Sequence, residues 1–145
     1  MTVFIRNLQR RFKIDSPLLR RFTTAVLLRV GAHEDTIGII LVNDQRMAQF
    51  NENFHHSAGP TDILTFPYPE LAGGELIISV ERAVAQAKRF RTTPSRELAL
   101  YIVHGILHLH GHDDRTPRKR KRMRAAERCL LRHVCASLPL RSLIR

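Results

Sequence analysis

The stretch TPSRELALYIVHGILHLHGHDD, residues 93–114, carries most of what this chain discloses. Thr93-Pro94-Ser95 has the form of a helix start, a capping hydroxyl followed by proline at the first helical position. The following residues keep one apolar face (Leu98, Ile102, Val103, Ile106, Leu107) with Leu100 beside it, so the spacing predicts one long helix. His104 and His108 stand one turn apart near its end, and both imidazoles project from the same side. An i, i+4 histidine pair is how a helix offers two nitrogen ligands to a metal. Gly111, three residues on, can take a positive φ and turn the chain back. Asp114 would then reach the pair from outside the helix as an oxygen ligand. Three protein ligands leave one position open, the arrangement of a catalytic zinc.

The bland alternative is a histidine pair at the edge of an apolar helix, and Gly111 and Asp114 at their offsets argue against it. His110 falls off the ligand side and reads as a residue behind the ligands or in solvent. His112 and Asp113 are possible substitute ligands or proton-transfer groups. Gly105 follows the first histidine where zinc peptidases carry a glutamate base, so peptidase chemistry loses its proton acceptor.

Outward from this helix, Val3 to Gln9 alternates apolar and polar residues as a half-buried strand does. Asp15-Ser16-Pro17 opens a helix with Ser16 as the expected cap, an apolar stripe of Leu18, Leu19, Phe22, Val26 and Leu27, and Gly31 as its stop. Ile37 to Asn43 reads as a buried strand. A short helix from about Asp44 buries Met47, Phe50 and Phe54. Asp62 to Tyr68 is a third strand, Gly73-Gly74 a turn, and Glu75 to Ser79 a fourth strand. A helix over Val80, Ala83, Val84, Ala87 and Phe90 follows, with Ser79 as its cap. The last helix begins near Thr116-Pro117. Roughly four strands and five helices in mixed order predict an α+β fold, one domain over residues 1–145, with the histidine motif at the end of a central helix.

The chain has 145 residues, 24 Lys or Arg against 13 Asp or Glu, and a net charge of +11. That is room for one core and a strong field for a polyanion partner. No apolar run approaches the roughly 18 residues of a membrane span, and the N-terminus lacks a stretch of signal-peptide length. Cys129 and Cys135 point to different helix faces, which argues against a disulfide. A cytoplasmic protein without membrane contact is expected. Arg115, Arg118, Lys119, Arg120, Lys121, Arg122 and Arg124 crowd behind the histidine motif. Such a run is usually a solvated helix face; beside a candidate site in so basic a chain it reads as a phosphate-binding surface. Arg10, Arg11, Arg20 and Arg21 add charge near the N-terminus. With no tryptophan, only Phe and Tyr are available to stack on bases.

HGILHLHGHDD (His104 to Asp114) resembles the signature of the YbeY family of rRNA maturation factors, usually His-Gly-x-Leu-His-Leu-x-Gly-Tyr-Asp-His. PTDILTFP (Pro60 to Pro67) is similar to that family's Pro-Thr-Asp-Val-Leu-Ser-Phe-Pro, and GELIIS (Gly74 to Ser79) to its Gly-Asp-Ile-x-Ile-Ser. The segments share order and spacing and span about residues 35 to 130. The resemblance implies one zinc ion per chain and a single-strand-specific endoribonuclease that matures the 3′ end of small-subunit (16S) rRNA and serves ribosome quality control. It implies the small ribosomal subunit as partner, with ribosomal proteins or an assembly GTPase alongside. His104 and His108 match the first two zinc ligands, and Asp114 stands where most members have a third histidine. His112 replaces a tyrosine and is the candidate proton-transfer group. Most members carry an arginine directly after the aromatic residue upstream; here His55 follows Phe54, and His55, with His56 beside it, would hold phosphate only when protonated. A carboxylate for an imidazole lowers the site's net charge by one and weakens the ion as an acid catalyst. These departures leave a second reading open, a zinc-containing, non-catalytic factor that binds rRNA during ribosome assembly.

Overall fold

The computed structural model describes residues 1–55 and 62–145, apart from the side chains of 53–55. Strands β1 (Thr2–Asn7), β2 (Thr36–Val42), β3 (Ile63–Pro67) and β4 (Gly73–Ser79) form one sheet in the order β1-β2-β4-β3. β1, β2 and β4 run parallel, and β3 joins β4 antiparallel at the edge. Around it lie α1 (Ser16–Arg29), α2 (Asp44–His55), α3 (Val80–Phe90), α4 (Pro94–Leu109) and α5 (Pro117–Cys135). This is the α+β fold, with a four-stranded mixed sheet and five helices, that the sequence predicts.

Strand residues alternate between two faces. On one, Ile37, Ile39, Leu41, Leu76 and Ile78 join the main core with the apolar stripes of α1, α4 and α5. On the other, Val42, Leu64 and Ile77 meet Met47 of α2 in a smaller cluster. Helix α4 is central: it touches α1, α3, α5, β3 and β4. That placement explains why ten of its sixteen residues are buried, leaving chemistry only at its C-terminal end.

Two local expectations are corrected. The α1 cap is Asp15, not Ser16: the Asp15 carboxylate accepts the Leu18 amide at 3.0 Å, and Ser16 becomes the first helical residue. Gly73-Gly74 is not the turn but the start of β4; the connection is made by residues 68–72. Glycine is needed there because Gly73 has φ +104° and a Cβ would strike the Thr36 carbonyl, while at Gly74 it would strike Phe66 O. Phe90, the last apolar residue of α3, is 59% exposed at the helix end. Ser79 caps α3 as expected, and Thr93 and Thr116 cap the helices expected to start there, each side-chain oxygen accepting the amide three residues on. Both cysteines are free thiols. Among the described residues no helix is long and apolar enough to cross a membrane.

Candidate functional site

The site begins with Gly105. A Cβ at that position would lie 2.7 Å from Leu76 Cδ2 and 2.8 Å from Ile63 Cδ1, so the missing side chain lets α4 settle onto β3 and β4. The same contact shows why no glutamate base can stand there. His104 is half-buried beside this seam, and His108 is exposed one turn later.

The helix then ends as a glycine-based C-cap dictates. Gly111 takes φ +95°, its amide bonds His108 O at 3.1 Å, and the His112 amide bonds Leu107 O at 3.0 Å. This pair of bonds satisfies the last carbonyls and reverses the chain. The exposed His110 is tethered to the fold, its Nε2 2.7 Å from Oδ2 of the buried Asp35. That carboxylate anchors the turn to the segment leading into β2.

The two aspartates beyond the turn divide their tasks. Asp113 accepts the Arg115 amide at 3.1 Å and the Lys119 ammonium at 3.2 Å. The backbone bond above all, then Lys119 and Arg115, hold its carboxyl below the usual range. It is committed to the entry of α5. The Asp114 carboxylate is exposed and takes no hydrogen bond among the described residues, while its carbonyl accepts from Arg120 Nη1 at 3.1 Å.

His104 sits against a buried carboxylate. Its Nδ1 lies 3.4 Å from Glu127 Oε1. That hydrogen bond raises the imidazole pKa against the opposing effect of burial, and the charges of Glu127, Asp114 and Asp62 raise it further. Asp62 in turn pairs with Arg82, Oδ1 to Nε, at 3.1 Å. One turn before His104, the buried Tyr101 hydroxyl has no hydrogen-bond partner among the described residues. Burial, followed by the charges of Asp62 and Glu97, pushes it well above the ordinary tyrosine range.

The structure thus brings Asp114 within electrostatic reach of His104, with His108 on the next turn and His112 exposed beside Gly111. The side chains of Phe54 and His55, together with His56, Pro60 and Thr61, lie outside the described residues. Among those described, no three His, Cys, Asp or Glu side chains gather closely enough to hold an ion. In donor chemistry the set fits zinc: two imidazoles a turn apart, a carboxylate with no hydrogen bond among the described residues, and a buried carboxylate behind the first imidazole.

Sequence reasoning missed Glu127, Arg82 and Tyr101. Glu127 had left a trace: it is the one acid in α5, spaced on the same stripe as Met123, Leu130 and Leu131. Along the exposed side of α5, Pro117, Arg120, Lys121, Arg124 and Arg128 line a groove of about 470 Å³. Among the described residues no carboxylate lines it. The structure therefore sorts the basic run: Arg120 and Lys121 face the groove, whereas Lys119 is tied to Asp113 and Arg115, Arg118 and Arg122 lie exposed elsewhere.

Fold and site together define a small α+β domain whose central helix ends in a histidine pair overlooked by a cationic helix. A family model described as endoribonuclease YbeY matches residues 4–135. Proteins called endoribonuclease YbeY from Carboxydothermus hydrogenoformans and Rhodopirellula baltica are 34% and 36% identical over 133 and 115 residues. The match takes in 88% of this chain and 93% of the former protein, and 76% of this chain and 59% of the latter. The solution structure of TM1509 from Thermotoga maritima superposes with a TM-score of 0.70 at 26% identity, over 93% of this chain and 90% of that one. The chain belongs to the YbeY family.

Proposed function

We propose that this chain is a metal-dependent endoribonuclease that cuts single-stranded RNA, in the cytoplasm, during 3′-end maturation of small-subunit rRNA and ribosome quality control. The observation that carries the reading is the turn at Gly111, which joins the histidine end of α4 to the groove of Arg120, Lys121, Arg124 and Arg128. The names of the relatives supply the reaction class. His104, His108 and Asp114 would hold one zinc ion. When bound, zinc polarises a phosphoryl oxygen or activates water for attack on phosphorus.

The remaining steps belong to the chain's own side chains. The groove cations neutralise the sugar–phosphate backbone and set the direction in which the strand leaves the site. Arg120 couples the two, because its guanidinium also holds the Asp114 carbonyl. His112, exposed at the turn, can accept or deliver a proton to a reacting oxygen. His55 would add charge to the phosphate clamp when protonated. The small ribosomal subunit is the partner this surface suits, with ribosomal proteins or an assembly GTPase as neighbours in that complex.

Cleavage of single-stranded RNA by wild type and His108→Ala, purified in parallel, tests the enzyme reading. The expected loss exceeds the roughly 10–100-fold that removing a group behind a ligand costs. Equal rates would trace the activity to a contaminant and sink the claim. A non-catalytic assembly factor is the second reading, favoured by Asp114 standing in place of histidine and by donors that do not gather in this arrangement. It predicts salt-sensitive rRNA binding in wild type and in folded His108→Ala, with no cleavage by either.

A further inference from the structure

We infer that Glu127 is the positioning residue of the site: its carboxylate holds the Nδ1 side of His104 and commits Nε2 of that ring to the metal. The inference rests on the metal reading above and concerns which residue makes it work.

Glu127 is 8% exposed and lies on the apolar stripe of α5. A carboxylate taken out of water there is destabilising unless it is paired. Its hydrogen-bond partner among the described residues is His104 Nδ1 at 3.4 Å. That is the long end of a hydrogen bond, as contacts of a working site often are before the ligand arrives. For packing alone, a leucine at position 127 would extend the stripe of Met123, Leu130 and Leu131 without the desolvation cost. The acid therefore has a task that an apolar residue cannot perform.

The task follows from the two-nitrogen chemistry of imidazole. A neutral ring has one N–H and one lone pair, and the hydrogen bond to one nitrogen decides where the lone pair sits. With Nδ1–H given to Glu127, the lone pair is on Nε2. The anionic partner also makes that nitrogen a better donor and fixes the ring's orientation. His110 provides the internal contrast. There Nε2 is the nitrogen bound to a carboxylate, Asp35, so the nitrogen that His104 leaves free is the one His110 commits to the fold. Two buried carboxylates thus sort two histidines of one helix end, one for structure and one for ligation. Because α5 also carries the basic groove, the same contact fixes that groove against α4.

Zinc titration against a competing chelator, for wild type, Glu127→Gln, Glu127→Ala and the control Glu97→Gln, tests this. Glu97 is likewise buried on α4 but bonded to Thr92 Oγ1, away from the histidines. We expect affinity to fall about 10–100-fold in Glu127→Ala, less in Glu127→Gln, whose amide oxygen can still accept, and not in Glu97→Gln. Imidazole ¹⁵N shifts of zinc-loaded wild type should mark Nε2 of His104 as the ligating nitrogen. Circular dichroism establishes folding, and Glu127→Gln decides if Glu127→Ala does not fold. Wild-type affinity in folded Glu127 variants, or ligation through Nδ1, overturns the inference. Absence of zinc from wild type itself overturns the metal reading, and the inference with it.

Discussion

At position 105 a side chain would have to share space with Leu76 and Ile63. Overpacking of this kind costs about 1–3 kcal/mol, and the helix propensity of alanine returns about 1 kcal/mol. Gly105→Ala should therefore lose up to about 2 kcal/mol in denaturant unfolding, and Gly105→Leu clearly more. Equal stability of the leucine variant would show that α4 does not sit on the sheet as described. The glycine was legible as the absence of a peptidase base; the reason for it was not, because the atoms it avoids come from strands β3 and β4. Glu127 was hidden for the same kind of reason. Its partner is 23 residues away in the chain, and a local reading sees only an isolated acid in a basic helix. Asp15 and Ser16 are both good caps side by side, and the choice between them is made by backbone geometry that composition does not carry.

At the scale of elements, helix starts were readable where a hydroxyl precedes proline, as at Thr93 and Thr116, since both signals fall within two residues, while at Ser16-Pro17 the same pattern placed the cap one residue late. Gly73-Gly74 misled because paired glycines usually mark turns; here they allow β4 to pass close to β2 and β3. For α5 the sequence supplied the charge and the fold supplied its direction. RNA binding should reflect that sorting. Arg124→Ala with Arg128→Ala should weaken single-stranded RNA binding and flatten its log–log salt slope by about 1.4, roughly 0.7 per lost phosphate contact. Arg118→Ala with Arg122→Ala should change the slope less. If both pairs act alike, the groove has no special part in binding and the run is a diffuse charge.

Across the whole molecule, the parallel strands β1, β2 and β4 and the buried body of α4 form the support, and the histidine cluster stands at one end of that helix. The histidine pair, the turn at Gly111 and the cationic helix after it were legible because they lie consecutively in sequence. The convergence of Asp62, Arg82, Tyr101 and Glu127 around His104 was not, since four different elements or their flanks contribute. A net charge of +11 suits an RNA partner without choosing among RNAs, and the reading as an enzyme depends on the metal. The most direct measurement is the metal content of untagged wild type and Asp114→Ala purified without chelators. About one zinc per wild-type chain is expected, lost or sharply weakened in the variant. Zinc retained in Asp114→Ala would contradict the assignment of the third ligand, and no zinc in either protein would contradict the metal centre itself.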